Sequence, residues 1–222
     1  MVGTARHRRS IRLKGYDYSQ EGAYFITICT HNCVCLLAEV ADEQVRLNQY
    51  GRAVEQEWMR TDIVRPSVVL DDYVVMPNHF HAILFLTDVG ASRSSALLGA
   101  VSLSDGRLAG NADWGRATRR VAPTGPTPAS IGAIVGQFKS LVTKKINALR
   151  GTPQRPVWQR NYYERVIRNE DELNRIREYV ANNPLQWALD RENPQATAHA
   201  EIYEWLYAKK RRARDAASGA KG

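Results

Sequence analysis

Val74-Val75-Met76-Pro77-Asn78-His79-Phe80-His81-Ala82-Ile83-Leu84 is the stretch on which the reading of this chain turns. It joins two apolar, β-rich runs, Val68 to Val75 and Phe80 to Leu86, through Met76-Pro77-Asn78, which reads as a tight connection. The pair predicts a hairpin or two bent neighbouring strands. Alternate side chains of a strand share a face, so His79 and His81 project together while Phe80 turns the other way, into the core. Two neutral imidazoles on one face can hold a divalent cation. The same pattern also fits a pair of satisfied core or surface histidines. Two nitrogens do not complete a site for a hard cation, so a metal reading demands an oxygen ligand from elsewhere in the chain.

Working outward, residues 24–30 (Tyr-Phe-Ile-Thr-Ile-Cys-Thr) read as a first strand, with Gly22 as a turn signal before it. Leu47 to Arg60 carries apolar residues at helical spacing, and Asn48 is its candidate cap. Ser130 is placed to cap a helix running to about Leu149, with Ile131, Ile134, Val135, Phe138, Leu141, Val142 and Ile146 as the buried stripe and Lys139, Lys144 and Lys145 on the other side. Val157 to Ile167 reads as another strand. Glu170 to about Asn182 reads as a helix, with Asn169 as cap and Pro184 as stop. Residues 199–214 form a candidate last amphipathic helix. Between Asp88 and Pro128 Ser, Gly, Ala, Thr and Pro dominate, and a connection of roughly 40 residues is too long for an ordinary loop, so it reads as an insertion or mobile connector. The order β, α, β, β, long loop, α, β, α predicts an α+β fold: one sheet with helices packed on one face, close to the ferredoxin-like arrangement.

On the helix after Asn169, Tyr179 and Asn183 are four residues apart and therefore share a side. One reading makes Tyr179 a nucleophile and Asn183 the missing oxygen ligand. A free phenol titrates near ~10 and is a poor nucleophile at neutral pH, which a cation on the target phosphate would offset. Spacing alone equally fits a half-buried aromatic and a residue ending the helix.

Composition narrows the class. The chain has 222 residues, 44% hydrophobic and 24% charged, which excludes a wholly disordered chain, a collagen-like fibre and a disulfide-dense mini-protein. No apolar run approaches the ~20 residues of a membrane span, and no secretory signal follows the N-terminal arginines, so a cytoplasmic protein is expected. Cys29, Cys33 and Cys35 read as reduced thiols. The formal net charge is +8. Arg6, Arg8, Arg9, Arg12 and Lys14 crowd one end, and Lys209, Lys210, Arg211, Arg212 and Arg214 the other. Such a field suits a polyanion, although solvated basic tails would look the same.

Taken together, these motifs resemble a known family. The Val74–Leu84 stretch resembles the histidine–hydrophobe–histidine (HUH) segment of the single-tyrosine transposases of bacterial insertion sequences. Trp158-Gln159-Arg160-Asn161-Tyr162-Tyr163-Glu164-Arg165-Val166-Ile167-Arg168, continuing through Ile176-Arg177-Glu178-Tyr179-Val180-Ala181-Asn182-Asn183-Pro184, resembles their tyrosine-bearing region. The Asn-Asn-Pro form and the Trp-Gln-Arg lead are closest to the REP-associated tyrosine transposases, as are Gln137-Phe138-Lys139-Ser140 and Arg8-Arg9-Ser10-Ile11-Arg12-Leu13. The resemblance covers most of residues 7–187 apart from 88–128.

The resemblance implies an HUH endonuclease fold, with a ferredoxin-like or RRM-like antiparallel sheet. It implies a metal-dependent single-stranded DNA endonuclease and strand transferase that cleaves beside hairpins through a 5′-phosphotyrosine link. His79, His81 and Asn183 would hold Mg²⁺ or Mn²⁺, and Tyr179 would attack. The expected partner is single-stranded DNA with REP-like or insertion-sequence hairpins, met by a monomer or homodimer in the cytoplasm, associated with the nucleoid. Arg8, Arg9, Arg12, Lys14, Lys139, Lys144, Lys145, Arg160, Lys209, Lys210, Arg211 and Arg212 are the expected phosphate-tracking residues, and Trp114, Trp158 and Tyr162 the candidates for base stacking. The expected layout is a basic arm over 1–14, the transposase domain over 15–190 and a basic tail over 191–222. The rival readings are a hairpin-binding protein on the same fold without catalysis, and a metal-independent RNA-binding module.

Overall fold

Gly22–Cys29 alternates its side chains between two buried faces, and this strand, β1, is the axis of the molecule. In a computed structural model, which describes residues 16–87 and 129–207, β1 pairs antiparallel with β5 (His79–Leu86) on one side and with β6 (Tyr163–Ile167) on the other. Numbering the strands in chain order, β4 (Val68–Val75) pairs antiparallel with β5, so the sheet runs β4-β5-β1-β6. The hairpin expected around Met76-Pro77-Asn78 is therefore present. It places Cys29 opposite His79 and Thr27 opposite His81.

Helix ends follow the caps legible in the sequence. α1 (Gln49–Met59) starts where Asn48 Oδ1 accepts from the Tyr50 and Gly51 N–H groups, and a short α2 (Thr61–Val64) follows. α3 (Ile131–Leu149) starts where Ser130 Oγ accepts from Ala133 N. In α4 (Glu170–Asn182) Asn169 Oδ1 accepts from Glu172 N, and Glu170, Asp171 and Glu172 sit in the first turn, where the positive end of the helix dipole favours anions.

The α+β antiparallel fold is as expected, but the helices are not gathered on one face. Tyr24, Ile26, Ile28, Phe80, Ala82 and Leu84 pack under α1 and α3, in one cluster with Trp58 and Phe138. The opposite face, with Phe25, Ile83 and Phe85, is covered by Leu173, Ile176, Tyr179 and Val180 of α4 and by α5 (Ile202–Tyr207). Both faces of β1 and β5 are apolar, so each needs a cover. The histidine-bearing face lies under α4 and α5. Arg177 Nη2 to Asp71 Oδ2, at 2.7 Å, ties α4 to β4.

Three further differences concern boundaries. Of the strand expected over Val157–Ile167, only Tyr163–Ile167 joins the sheet. Trp158 makes an isolated bridge with Thr30, and Lys139 Nζ takes the carbonyls of Gln159 and Arg160, which removes them from any ladder. A hairpin of β2 (Ala38–Ala41) and β3 (Gln44–Leu47) escapes sequence reading, because its turn puts Asp42 and Glu43 at φ 53° and 60° without glycine. Residues 199–214 yield a helix only over Ile202–Tyr207 among the described residues. The expected insertion 88–128, the arm 1–14 and the tail beyond 207 lie outside the described residues. With them go Arg8, Arg9, Arg12, Lys14, Trp114, Lys209, Lys210, Arg211 and Arg212.

Candidate active site

The face of β5 that carries His79 and His81 is dry. His79 is fully buried and His81 is 1% exposed, with ring centroids 4.5 Å apart. Cross-strand pairing brings Thr27 Oγ1 to 2.9 Å from His81 Nδ1. Asn78, in the turn before β5, sets the other ring. Its Nδ2 donates to the carbonyls of Cys33 and Glu192, which leaves Oδ1 to face His79 Nδ1 at 2.9 Å. An amide oxygen only accepts, so His79 Nδ1 donates there and Nε2 is the nitrogen turned toward the rest of the site.

Two oxygen-bearing side chains meet Nε2. Asn183, which follows α4, places Oδ1 3.3 Å from His79 Nε2. Its orientation follows from the other end of the amide, where Nδ2 donates to Asp190 Oδ2 at 2.9 Å. Asp190 Oδ2 in turn lies 3.6 Å from His79 Nε2. A ring nitrogen, an amide oxygen and a carboxylate oxygen thus converge in a buried setting, an arrangement that a proton or a cation must reconcile. One ligand atom each from His79, His81 and Asp190 lie within 4.8 Å of one another. This mixed nitrogen and oxygen set fits a divalent cation.

Tyr179 completes the group. Its Oη lies 2.9 Å from His81 Nε2, and its ring is 5.1 Å from the His81 ring. Burial holds His81 well below the ordinary imidazole range, and neighbouring His79 acts in the same direction. A neutral His81 with its proton on Nδ1 donates to Thr27 and offers Nε2 either to the tyrosine hydroxyl or to a cation. Tyr203 of α5 donates to Asp190 Oδ2 at 2.8 Å and also shares a hydrogen bond with Tyr179. Burial first, and Asp190 next, push the Tyr203 phenol up.

All four residues expected at the centre, His79, His81, Tyr179 and Asn183, therefore meet. Asp190 and Tyr203 were not expected. The available signal for Asp190 was a single acid closing the apolar run Trp187-Ala188-Leu189; Tyr203 carried none. The two tyrosines of the preceding strand region have other partners: Tyr162 bonds Glu164 on the α1/α3 side, and Tyr163 donates to Leu206 O beneath α5.

The described cations expected to follow phosphates divide. Lys139, Lys144 and Arg160 line one groove. Lys145 turns away, to Gln56 and Glu57 of α1. Among the expected stacking residues, Trp158 is 7% exposed.

The chain is 40% identical over 185 residues to an uncharacterized protein of Haemophilus influenzae, a match spanning 83% of this chain and 92% of that protein. It belongs to the family of that protein. No family model matches. Among solved structures the chain is similar to a REP-associated tyrosine transposase bound to a REP hairpin, with 15% identity, 82% of this chain and 74% of that one covered, and a TM-score of 0.46. It is also similar to a Deinococcus radiodurans protein provisionally named a transposase, with 13% identity, 77% and 95% coverage, and a TM-score of 0.39. Among the described residues no helix is long and apolar enough to cross a membrane.

Proposed function

We propose that this protein is a metal-dependent single-stranded DNA endonuclease and strand transferase, acting beside hairpins through a tyrosine–phosphate link. The observation that carries the reading is Tyr179 Oη at 2.9 Å from His81 Nε2, on the dry face where His79, Asn183 and Asp190 converge. A tyrosine hydroxyl held against a candidate metal ligand has the makings of a nucleophile. The motif resemblance in the sequence supplies the substrate class.

His79, His81 and Asp190, with Asn183 as a further oxygen donor, would hold the cation, Mg²⁺ or Mn²⁺. When bound, it would polarise the scissile phosphate and shield its charge from the incoming oxygen. The chain's own residues do the rest. Asn78 and Thr27 orient the two imidazoles from behind, as outer partners of metal-binding histidines do. Tyr203 holds the Tyr179 hydroxyl, which His81 would release as its Nε2 turned to the cation, and Phe25 packs against the Tyr179 ring with centroids 6.1 Å apart.

In cleavage, Tyr179 Oη bonds to phosphorus and the P–O3′ bond breaks. The phenolic proton is balanced by the proton gained at the departing 3′ oxygen. The product is a 5′-phosphotyrosine and a free 3′-hydroxyl. The link conserves the energy of the broken diester, so a hydroxyl can reverse the step onto another strand. Short hairpins of the REP type or of insertion-sequence ends, in the nucleoid, are the substrates this reading requires.

The test is an SDS-resistant adduct formed with Mn²⁺ or Mg²⁺ and a hairpin-flanked oligonucleotide. Tyr179→Phe abolishes the adduct and retains binding. A Phe variant that still becomes linked to DNA overturns the nucleophile. The second reading is a hairpin-binding protein without catalysis, favoured by one observation: the Tyr179 hydroxyl is engaged with His81 and Tyr203 in a buried setting. Hairpin binding with no adduct in either metal would select it.

A further inference from the structure

A groove of about 890 Å³ runs along the outer side of α3, between that helix and residues 151–160. Exposed Ala148, Pro153 and Pro156 make its wall apolar, with Val157 and Trp158 buried behind them; its charged residues are Lys139, Lys144 and Arg160, and neither Asp nor Glu lines it. Lys144 and Arg160 are exposed. Neither meets a carboxylate among the described residues. Trp158 Nε1, buried in that wall, has no acceptor among the described residues.

Hydrogen bonds and strand pairing link the lining of the groove to the candidate site. Gln159 N donates to the Cys29 carbonyl and Gln159 Nε2 to Cys33 Sγ. Cys29 stands opposite His79, and Cys33 O receives the amide of Asn78. Lys139 Nζ lies at this junction, on the carbonyls of Gln159 and Arg160. Occupants differ in what they need here. A folded protein partner would find a wall rimmed by unpaired cations, which it could not cover without carboxylates of its own. An unpaired nucleic-acid strand brings both components at once, flat apolar bases for the wall and phosphates for the rim.

We propose that this groove is the track for the unpaired DNA strand adjoining the scissile phosphate, with bases against Pro153 and Pro156 and phosphates beside Lys144 and Arg160. The proposal takes its substrate class from the DNA reading above.

The test measures binding, not cleavage, in the full chain carrying Tyr179→Phe. The probes are a labelled hairpin alone, the same hairpin with a single-stranded flank, and the flanked form made as RNA. Lys144→Glu with Arg160→Glu should weaken the flanked DNA about tenfold while changing the bare hairpin less than about twofold, and should flatten the salt slope by roughly 1.4, the value for two phosphates on a single strand. Arg168→Glu with Arg175→Glu, exposed cations on the α4 side of the sheet, should change neither probe. A flank carrying 5-iodouracil should cross-link within residues 153–160. Equal losses on the bare hairpin, an unchanged flank, cross-links elsewhere, or tighter binding of the RNA flank would each overturn the proposal. Its failure is separable from that of the nuclease reading. Flank binding that needs Lys144 and Arg160, in a protein whose Tyr179 never forms an adduct, leaves the groove and removes the nuclease; adduct formation with a flank indifferent to both residues does the reverse.

Discussion

Asn78 is the residue whose substitution most directly separates a metal site from a pair of core histidines. Asn78→Leu removes the N–H donors that serve the carbonyls of Cys33 and Glu192 together with the oxygen that faces His79 Nδ1, leaving all three groups unsatisfied in a buried setting. The expected loss of stability is about 1–3 kcal/mol, read by urea denaturation. Because His79 also loses its fixed ring orientation, Mn²⁺ affinity measured by calorimetry should fall about 10–100-fold. A variant that loses stability but keeps its full metal affinity would leave Asn78 a purely structural residue. Lys139 gives a prediction in pH. Burial pulls its ammonium down to about 8, with Cys29 opposing, from an ordinary 10.5. In that window the unfolded chain holds a proton that the folded chain has released, so raising pH from about 8 toward 10.5 stabilises the fold, while below about 8 the stability stops changing and the cost of burying the charged ammonium is fully present. The stability difference between the natural protein and Lys139→Met should therefore shift in favour of the natural protein between about pH 7 and about pH 9.5; a flat difference would mean Lys139 titrates normally. At this scale the sequence disclosed what has a local period. His79 with His81, and Tyr179 with Asn183, obey strand and helix spacing. Asp190 and Tyr203 lie past Pro184, where no repeat relates them to the residues they touch.

Elements were legible where their ends carry chemistry. Asn48, Ser130 and Asn169 each cap the helix they were expected to cap. The β2–β3 hairpin was hidden because its turn breaks the usual residue rule, and its seat rests on Gly51, where an added Cβ would stand 2.3 Å from the Leu37 carbonyl oxygen. Gly51→Ala should therefore cost about 1–3 kcal/mol of stability in thermal or urea unfolding, although alanine is the better helix former. A neutral or stabilising result would show that the loop at Leu37 yields. The strand that began late, at Tyr163 instead of Val157, was misread for a related reason. Trp158 and Tyr162 have the composition of a strand, but a lysine from another helix holds the backbone carbonyls between them. No window on the sequence contains both partners.

Across the whole molecule, a sheet of four antiparallel strands was foreseeable from the run order, but the distribution of its helices was not. Near-continuous apolar runs such as Ala82–Leu86 announce burial on both faces, and that signal bears on α5 as much as on α1 and α3. Covering the second face is what encloses the histidines, so the helix layer and the dryness of the site are one fact. The sheet's rims have a consequence of their own. β4, at one rim, loses register between Leu70 and Tyr73, and the residues in the gap are Asp71 and Asp72. β6, at the other, is five residues long. Kinks, carboxylates and brevity are the features that keep open strand edges from templating one another. Two molecules colliding rim to rim find no straight ladder to extend, so crowding should not string this protein into ribbons.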